Sequence, residues 1–184
     1  MNRANEPPLP EPLAYFLTWS TYGTWLPGDE RGWVEYGHGF QPASPVRQRV
    51  AAAGMTDDPC WLDQKQRDLV EKTIEDHCNL RGWTLHAVNC RSNHLHVVVT
   101  ADRDPDTVRE QFKAWCTRKL KEMQKELLAG RGQDQPRLRT EWWTERGSDR
   151  YINDDRALEA AIQYVKDYQD TPDRGGLRLW KPRT

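Results

Sequence analysis

The chain has 184 residues, room for one domain with short extensions and not for two enzymatic domains. Charged residues make up 30% and the hydrophobic set only 36%, so nine Trp must supply much of the apolar area of any core. No run reaches the roughly 18 apolar residues of a membrane helix, and the start, with Pro7, Pro8, Pro10 and Pro12, has neither signal-peptide nor transit-peptide character. The expectation is a soluble, cytoplasmic protein. Net charge is −1, which argues against coating a polyanion by charge alone. Its distribution is uneven: −4 over residues 1–102, +3 over 103–150 and zero over 151–184. The middle segment leaves room for a local polyanion site, though a solvated helix face would look the same. Four Cys (Cys60, Cys78, Cys90, Cys116) are widely spaced with no C-x-x-C, which predicts ordinary buried or half-buried thiols rather than a zinc module or disulfide framework.

In chain order, residues 1–12 read as a disordered Pro-rich arm, 13–170 as a single domain and 171–184 as a tail. AYFLTWST, Ala14 to Thr21, has the aromatic and β-branched composition of a strand, closed by the turn residues Gly23, Pro27-Gly28 and Gly32. Residues 29–60 carry no sustained period and are expected to be a long loop of open role. From about Asp63 to Leu80, Leu69, Val70, Ile74 and Cys78 fall at helical spacing, and Gly82 ends that helix. TLHAVNCRSNHLHVVVTA is two β-rich runs joined by Arg91-Ser92-Asn93, a hairpin. Asp104-Pro105-Asp106 opens a helix to about 129 with Val108, Phe112, Trp115, Cys116, Leu120 and Met123 on one side. Residues 130–140 are a basic loop, Trp142-Trp143-Thr144 a short strand, and Asp154-Asp155 starts a helix to about Tyr168. The sum is an α+β fold: a ferredoxin-like βαββαβ antiparallel sheet with two helices on one face, plus a C-terminal helix that carries a tyrosine.

The candidate chemistry begins with NHLHVVV. On a strand His94 and His96 share one face while Leu95, Val97 and Val99 point to the other, so two imidazoles stand side by side on the open face. Neutral imidazoles at that spacing suit a metal ion, and two solvated polar residues are the plain alternative. The last helix could cross the same face and bring the Tyr164 hydroxyl near, with Tyr168 one turn on.

Taken together, TYGTWLPGD, NHLHVVV, EWWTERGSDRY and QYVKDYQ, in that order from about Ala14 to Gln169, resemble the IS200-like tyrosine (Y1) transposases of the HUH superfamily, in particular their REP-associated (RAYT-type) relatives. The resemblance implies a ferredoxin-like single-stranded DNA endonuclease and strand transferase, with His94 and His96 as metal ligands and Tyr164 as nucleophile. It implies a divalent cofactor, Mg²⁺ or Mn²⁺, and a 5′-phosphotyrosine intermediate. It also implies single-stranded DNA hairpins, REP-like or element-end palindromes, as partners of a monomer or homodimer. The family's amide ligand, one turn after the tyrosine, is replaced here by Tyr168. Gln169 is then the nearest candidate, about 140° further round the helix than Tyr164, with Asp167 and Gln163 as substitutes and Tyr168 as the alternative nucleophile.

A phenol titrates near 10 and attacks poorly at neutral pH, so a polarised phosphate is what this chemistry needs. Arg131, Arg137, Arg139, Lys113, Arg118 and Lys121 are candidates to neutralise DNA phosphates, and Trp142 and Trp143 to stack on unpaired bases. Alternatives are a non-catalytic hairpin-binding protein and a relaxase or rolling-circle type of HUH nuclease.

Overall fold

The computed structural model describes residues 11–35, 37–129 and 137–167. Most of the N-terminal arm, the C-terminal tail, Tyr168, Gln169 and Arg131 lie outside them. The elements are β1 (Ala14–Ser20), β2 (Trp33–Glu35), β3 (Gly39–Gln41), α1 (Pro45–Ala53), α2 (Gln64–Arg81), β4 (Thr84–Cys90), β5 (His94–Thr100), α3 (Pro105–Leu128), β6 (Ser148–Ile152) and α4 (Asp155–Asp167).

Four strands form one antiparallel sheet in the order β4-β5-β1-β6, the strand order of the ferredoxin-like βαββαβ arrangement. All seven residues of β1 are buried, because it is an inner strand covered on both faces. Alternation along the strands makes two different surfaces. On one, Tyr15, Leu17 and Trp19 of β1 and Leu95, Val97 and Val99 of β5 pack under Val70, Ile74 and Cys78 of α2 and Val108, Phe112, Cys116 and Leu120 of α3. On the other, Ala14, Phe16, Ala87, Val98 and Ile152 meet Ala161 and Val165 of α4 in a smaller cluster.

Local chemistry sets the boundaries. Asp63 caps α2 through a reciprocal box: its carboxylate accepts the Gln66 N–H at 2.9 Å, and the Gln66 side chain accepts the Asp63 N–H at 2.9 Å. Gly82 ends the helix with φ 70°, a left-handed conformation that glycine adopts without a Cβ penalty. Asp104 caps α3 by accepting the Thr107 N–H at 2.9 Å. At Gly147, a Cβ would stand 2.4 Å from the carbonyl oxygen of Thr18, so only glycine lets the chain come close enough to start β6 beside β1. All four cysteines are buried and unpaired, as their spacing predicts.

Two sequence expectations fail. Residues 29–60 are not one loop: they contain the β2–β3 hairpin and α1, whose N-cap Ser44 accepts the Arg47 N–H and is followed by Pro45. No residue of α1 is buried, so the helix leaves no apolar period to read. Trp142-Trp143-Thr144 is not the fourth strand either, since it makes only one isolated bridge, Thr21 to Trp143, and the ladder with β1 is made by Ser148–Ile152. The two tryptophans instead close the end of the α2–α3 core, where Trp143 meets Trp19 edge-on at 6.3 Å between ring centroids.

Candidate functional site

The site is built on the sheet face that α2 and α3 do not cover. Strand register arranges its side chains in rows: His94 opposite Ser20, His96 opposite Thr18 with Asn89 on its other side, and Val98 opposite Phe16, which is itself opposite Arg150. Directly opposed residues of antiparallel strands share a face, so these groups converge. The rings of His94 and His96 lie edge to face, 5.0 Å between centroids. α4, started by Asp154 accepting the Ala157 N–H at 2.8 Å, lays Tyr164 against them: its ring is 5.7 Å from that of His96 and 6.0 Å from that of Phe16. Phe16 stacks on His96 at 5.4 Å and fixes its plane.

The electrostatics of His96 follow from its position. It is 5% exposed. Burial first, then the neighbouring His94 and Arg91, lower its pKa from 6.5 to about 3, so the ring is neutral at physiological pH and carries one N–H and one lone pair. Its Nδ1 lies 2.8 Å from the Thr18 hydroxyl oxygen, and with Nδ1 donating there the Nε2 lone pair is the one presented as a ligand. His94 has the matching arrangement: its Nδ1 donates to the Asn93 side-chain oxygen at 2.7 Å. Two imidazoles held side by side by polar neighbours in this way suit a divalent cation. Among the described residues no group of three or more His, Cys, Asp and Glu gathers.

The structure therefore brings His94, His96 and Tyr164 together. Gln163 and Asp167 of α4 are exposed. The residues expected to bind DNA divide. Lys113 is 5% exposed, and its Nζ donates to the carbonyls of Thr144 at 3.0 Å and Glu145 at 2.9 Å and pairs with Glu110, so it ties the approach to β6 onto α3 and is not available to a phosphate. Trp142 and Trp143 are buried in the core and cannot stack on a base; the Trp143 Nε1–H donates to the Thr117 hydroxyl at 3.0 Å. Arg139 is a brace as well, donating to the Asp58 carbonyl at 2.7 Å and lying over Trp142 at 5.8 Å. Arg137 is exposed. Arg118 and Lys121 stand on α3, beyond the opposite face of the sheet from the histidines, and Arg118 is paired with Glu122 at 3.2 Å.

Sequence reasoning missed Thr18, Phe16, Asn93, Arg91 and Arg150. The alternation of AYFLTWS puts Phe16, Thr18 and Ser20 on one face, but that this face is the histidine face depends on the β1–β5 register, a long-range fact.

No protein-family profile matches the sequence, and no curated protein matches it. Among solved structures, the chain is similar to a REP-associated tyrosine transposase bound to a REP hairpin, at 11% identity and a TM-score of 0.45 over 90% of this chain and 70% of that one. It is also similar to a candidate transposase from Deinococcus radiodurans, at 14% identity and a TM-score of 0.37 over 88% of this chain and 94% of that one. These are distant likenesses, and the functional reading stands on this chain's own residues.

Proposed function

We propose that the protein is a metal-dependent single-stranded DNA endonuclease and strand transferase that cuts beside DNA hairpins through Tyr164. The observation that carries this reading is the meeting of His94, His96 and Tyr164 on one sheet face, with ring centroids 5.0 and 5.7 Å apart. A phenol beside two imidazoles that can hold a metal ion matches what phosphoryl transfer without an external energy source requires. The choice of hairpin DNA as substrate comes from the sequence resemblance.

In this reading His94 and His96 hold Mg²⁺ or Mn²⁺, which when bound withdraws charge from the scissile phosphate. Asn93, whose side-chain oxygen only accepts, keeps the proton of His94 on Nδ1, and Thr18 orients the His96 ring. Phe16 and the buried strands exclude water from one side of Tyr164 and fix its ring. The Tyr164 hydroxyl oxygen attacks phosphorus, the bond to the 3′ oxygen breaks, and the 5′ phosphate is left esterified to Tyr164. The phenol proton passes to solvent and the departing oxygen becomes a 3′ hydroxyl. The ester keeps the energy of the phosphodiester, so a second 3′ hydroxyl can reverse the step and join new ends.

The test is a covalent-adduct assay. Labelled single-stranded hairpins from DNA flanking the gene are incubated with the protein and Mn²⁺ or EDTA and run on a denaturing gel. A denaturant-resistant, Mn²⁺-dependent adduct is expected. Tight hairpin binding with no adduct across a broad set of oligonucleotides would point to a non-catalytic binder instead.

A further inference from the structure

Two arginines that the reaction above does not use stand at opposite corners of the same sheet face. Arg91 is in the β4–β5 turn, where its N–H donates to the His94 carbonyl at 2.8 Å, and this pairing places its side chain on the His94 side of the sheet. Arg150 is on β6, in register with Phe16, and its guanidinium lies 5.6 Å from the centre of that ring. Phe16 in turn touches both His96 and Tyr164. Arg150 is half-buried, and loss of hydration brings its pKa down to about 10, still charged at any physiological pH.

Strand geometry puts the two positions about 20 Å apart, four residues along the strands and three strand spacings across. The line between them passes over His96 and Thr18, with His94 and Phe16 on either side of it and Tyr164 against His96. Between the cations stands the Tyr164 phenol, which becomes an anion only by losing a proton. A partly dehydrated guanidinium gains most from a ligand with paired anionic oxygens, and a phosphodiester backbone offers one at each nucleotide.

We propose that a single-stranded DNA backbone crosses this face diagonally, from the β4–β5 turn to the β6 edge, with Arg91 and Arg150 each holding a phosphate on opposite sides of the one attacked by Tyr164. This rests on the endonuclease reading and adds to it the path and the two contacts that centre the scissile phosphate. It also accounts for a chain of net charge −1 serving DNA: the positive charge is placed at two points of the track.

The experiment is a scan with neutral phosphates. Affinity is measured in the Tyr164→Phe protein for hairpin oligonucleotides carrying a single methylphosphonate at each position around the cleavage site, or counted from the hairpin foot if no cleavage occurs. The scan is repeated with Arg91→Gln and with Arg150→Gln added. Each contacted phosphate is expected to lose about tenfold in affinity when made neutral, the usual effect of a lost charge-assisted hydrogen bond. Arg150→Gln should make one position insensitive, Arg91→Gln a different one on the other side of the cleavage site. Each should reduce the slope of log affinity against log salt by about 0.7. Arg150→Lys keeps the charge without the fork, so it should stay sensitive at the same position with weaker binding, and it gives the result if the Gln variant does not fold. Undiminished sensitivity at every position in both variants, or loss on the same side in both, overturns the proposal. The adduct assay on the same oligonucleotides separates the two readings: adducts with no silenced position overturn only the path, and silenced positions without adducts overturn only the nuclease.

Discussion

The two faces of one sheet are built from the same strands and do opposite work. On the closed face, Leu17, Trp19, Leu95, Val97 and Val99 are at most 1% exposed beneath α2 and α3, and their contribution is the ordinary one of apolar burial. On the other face, the intervening residues Thr18, His94 and His96 are polar, and α4 covers only part of the row with Ala161, Val165 and Tyr164. The closed face can therefore hold the second one rigid. A side chain carried on a central strand with a full core beneath it, as His94 and His96 are, has little freedom to move, which is the condition for positioning a reaction.

The comparison is broken most completely by Tyr164→Phe. The variant should lose adduct formation below detection while its thermal midpoint and hairpin affinity stay close to the parent's, because the ring contacts with Phe16 and His96 persist; parallel gel and melting measurements check this. Phe112→Ala, on the closed face, should do the reverse, costing about 3–5 kcal/mol in urea unfolding and affecting cleavage only through the folded fraction. Lys113→Met should cost about 1–3 kcal/mol, since it strips donors from the carbonyls of Thr144 and Glu145. Its DNA affinity, measured where the protein is folded, should not change, in contrast to a phosphate contact. Thr18→Val keeps the shape of the side chain but frees the His96 Nδ1, and should weaken Mn²⁺ binding about 10–100-fold by calorimetry, with Thr18→Ser restoring it.

A separate effect is in pH. His96 has a folded pKa of about 3 against 6.5 for the ordinary group. Between those values the unfolded chain binds one proton more than the folded one, so this residue's contribution is fully present above pH 6.5 and is lost as pH falls towards 3. The expected slope is roughly 1.4 kcal/mol per pH unit within that window. Urea unfolding in EDTA, compared between the parent and His96→Gln, isolates it: the variant should lack that part of the slope.

Most of this fold is legible in the sequence because most of it buries one periodic face. The helices that became α2 and α3 show Val70 and Ile74, or Phe112, Cys116 and Leu120, at helical spacing, and all of these are buried. NHLHVVV gives the two-faced β5 directly. The failures are elements without that signature. α1 buries nothing, and β6 is an edge strand whose SDRYI reads as polar, since only Ile152 is fully buried. Trp142 and Trp143 look like a strand by composition but fill the end of a core. For the site, the His pair and Tyr164 can be picked out by residue type and spacing, whereas Thr18 and Arg150 acquire meaning only from register across three strands. Lys113 shows the converse: residue type and local charge suggest a phosphate contact, and tertiary packing decides otherwise.

The central claim is that the tyrosine on α4 facing His96 is the one that takes the phosphate. Peptide mapping by mass spectrometry of the protein after reaction with a hairpin oligonucleotide in Mn²⁺ tests it most directly. A nucleotide esterified to the phenolic oxygen of Tyr164, absent in EDTA and in His96→Ala, is the predicted result. A nucleotide on Tyr168, or an adduct that survives loss of His96, would contradict it.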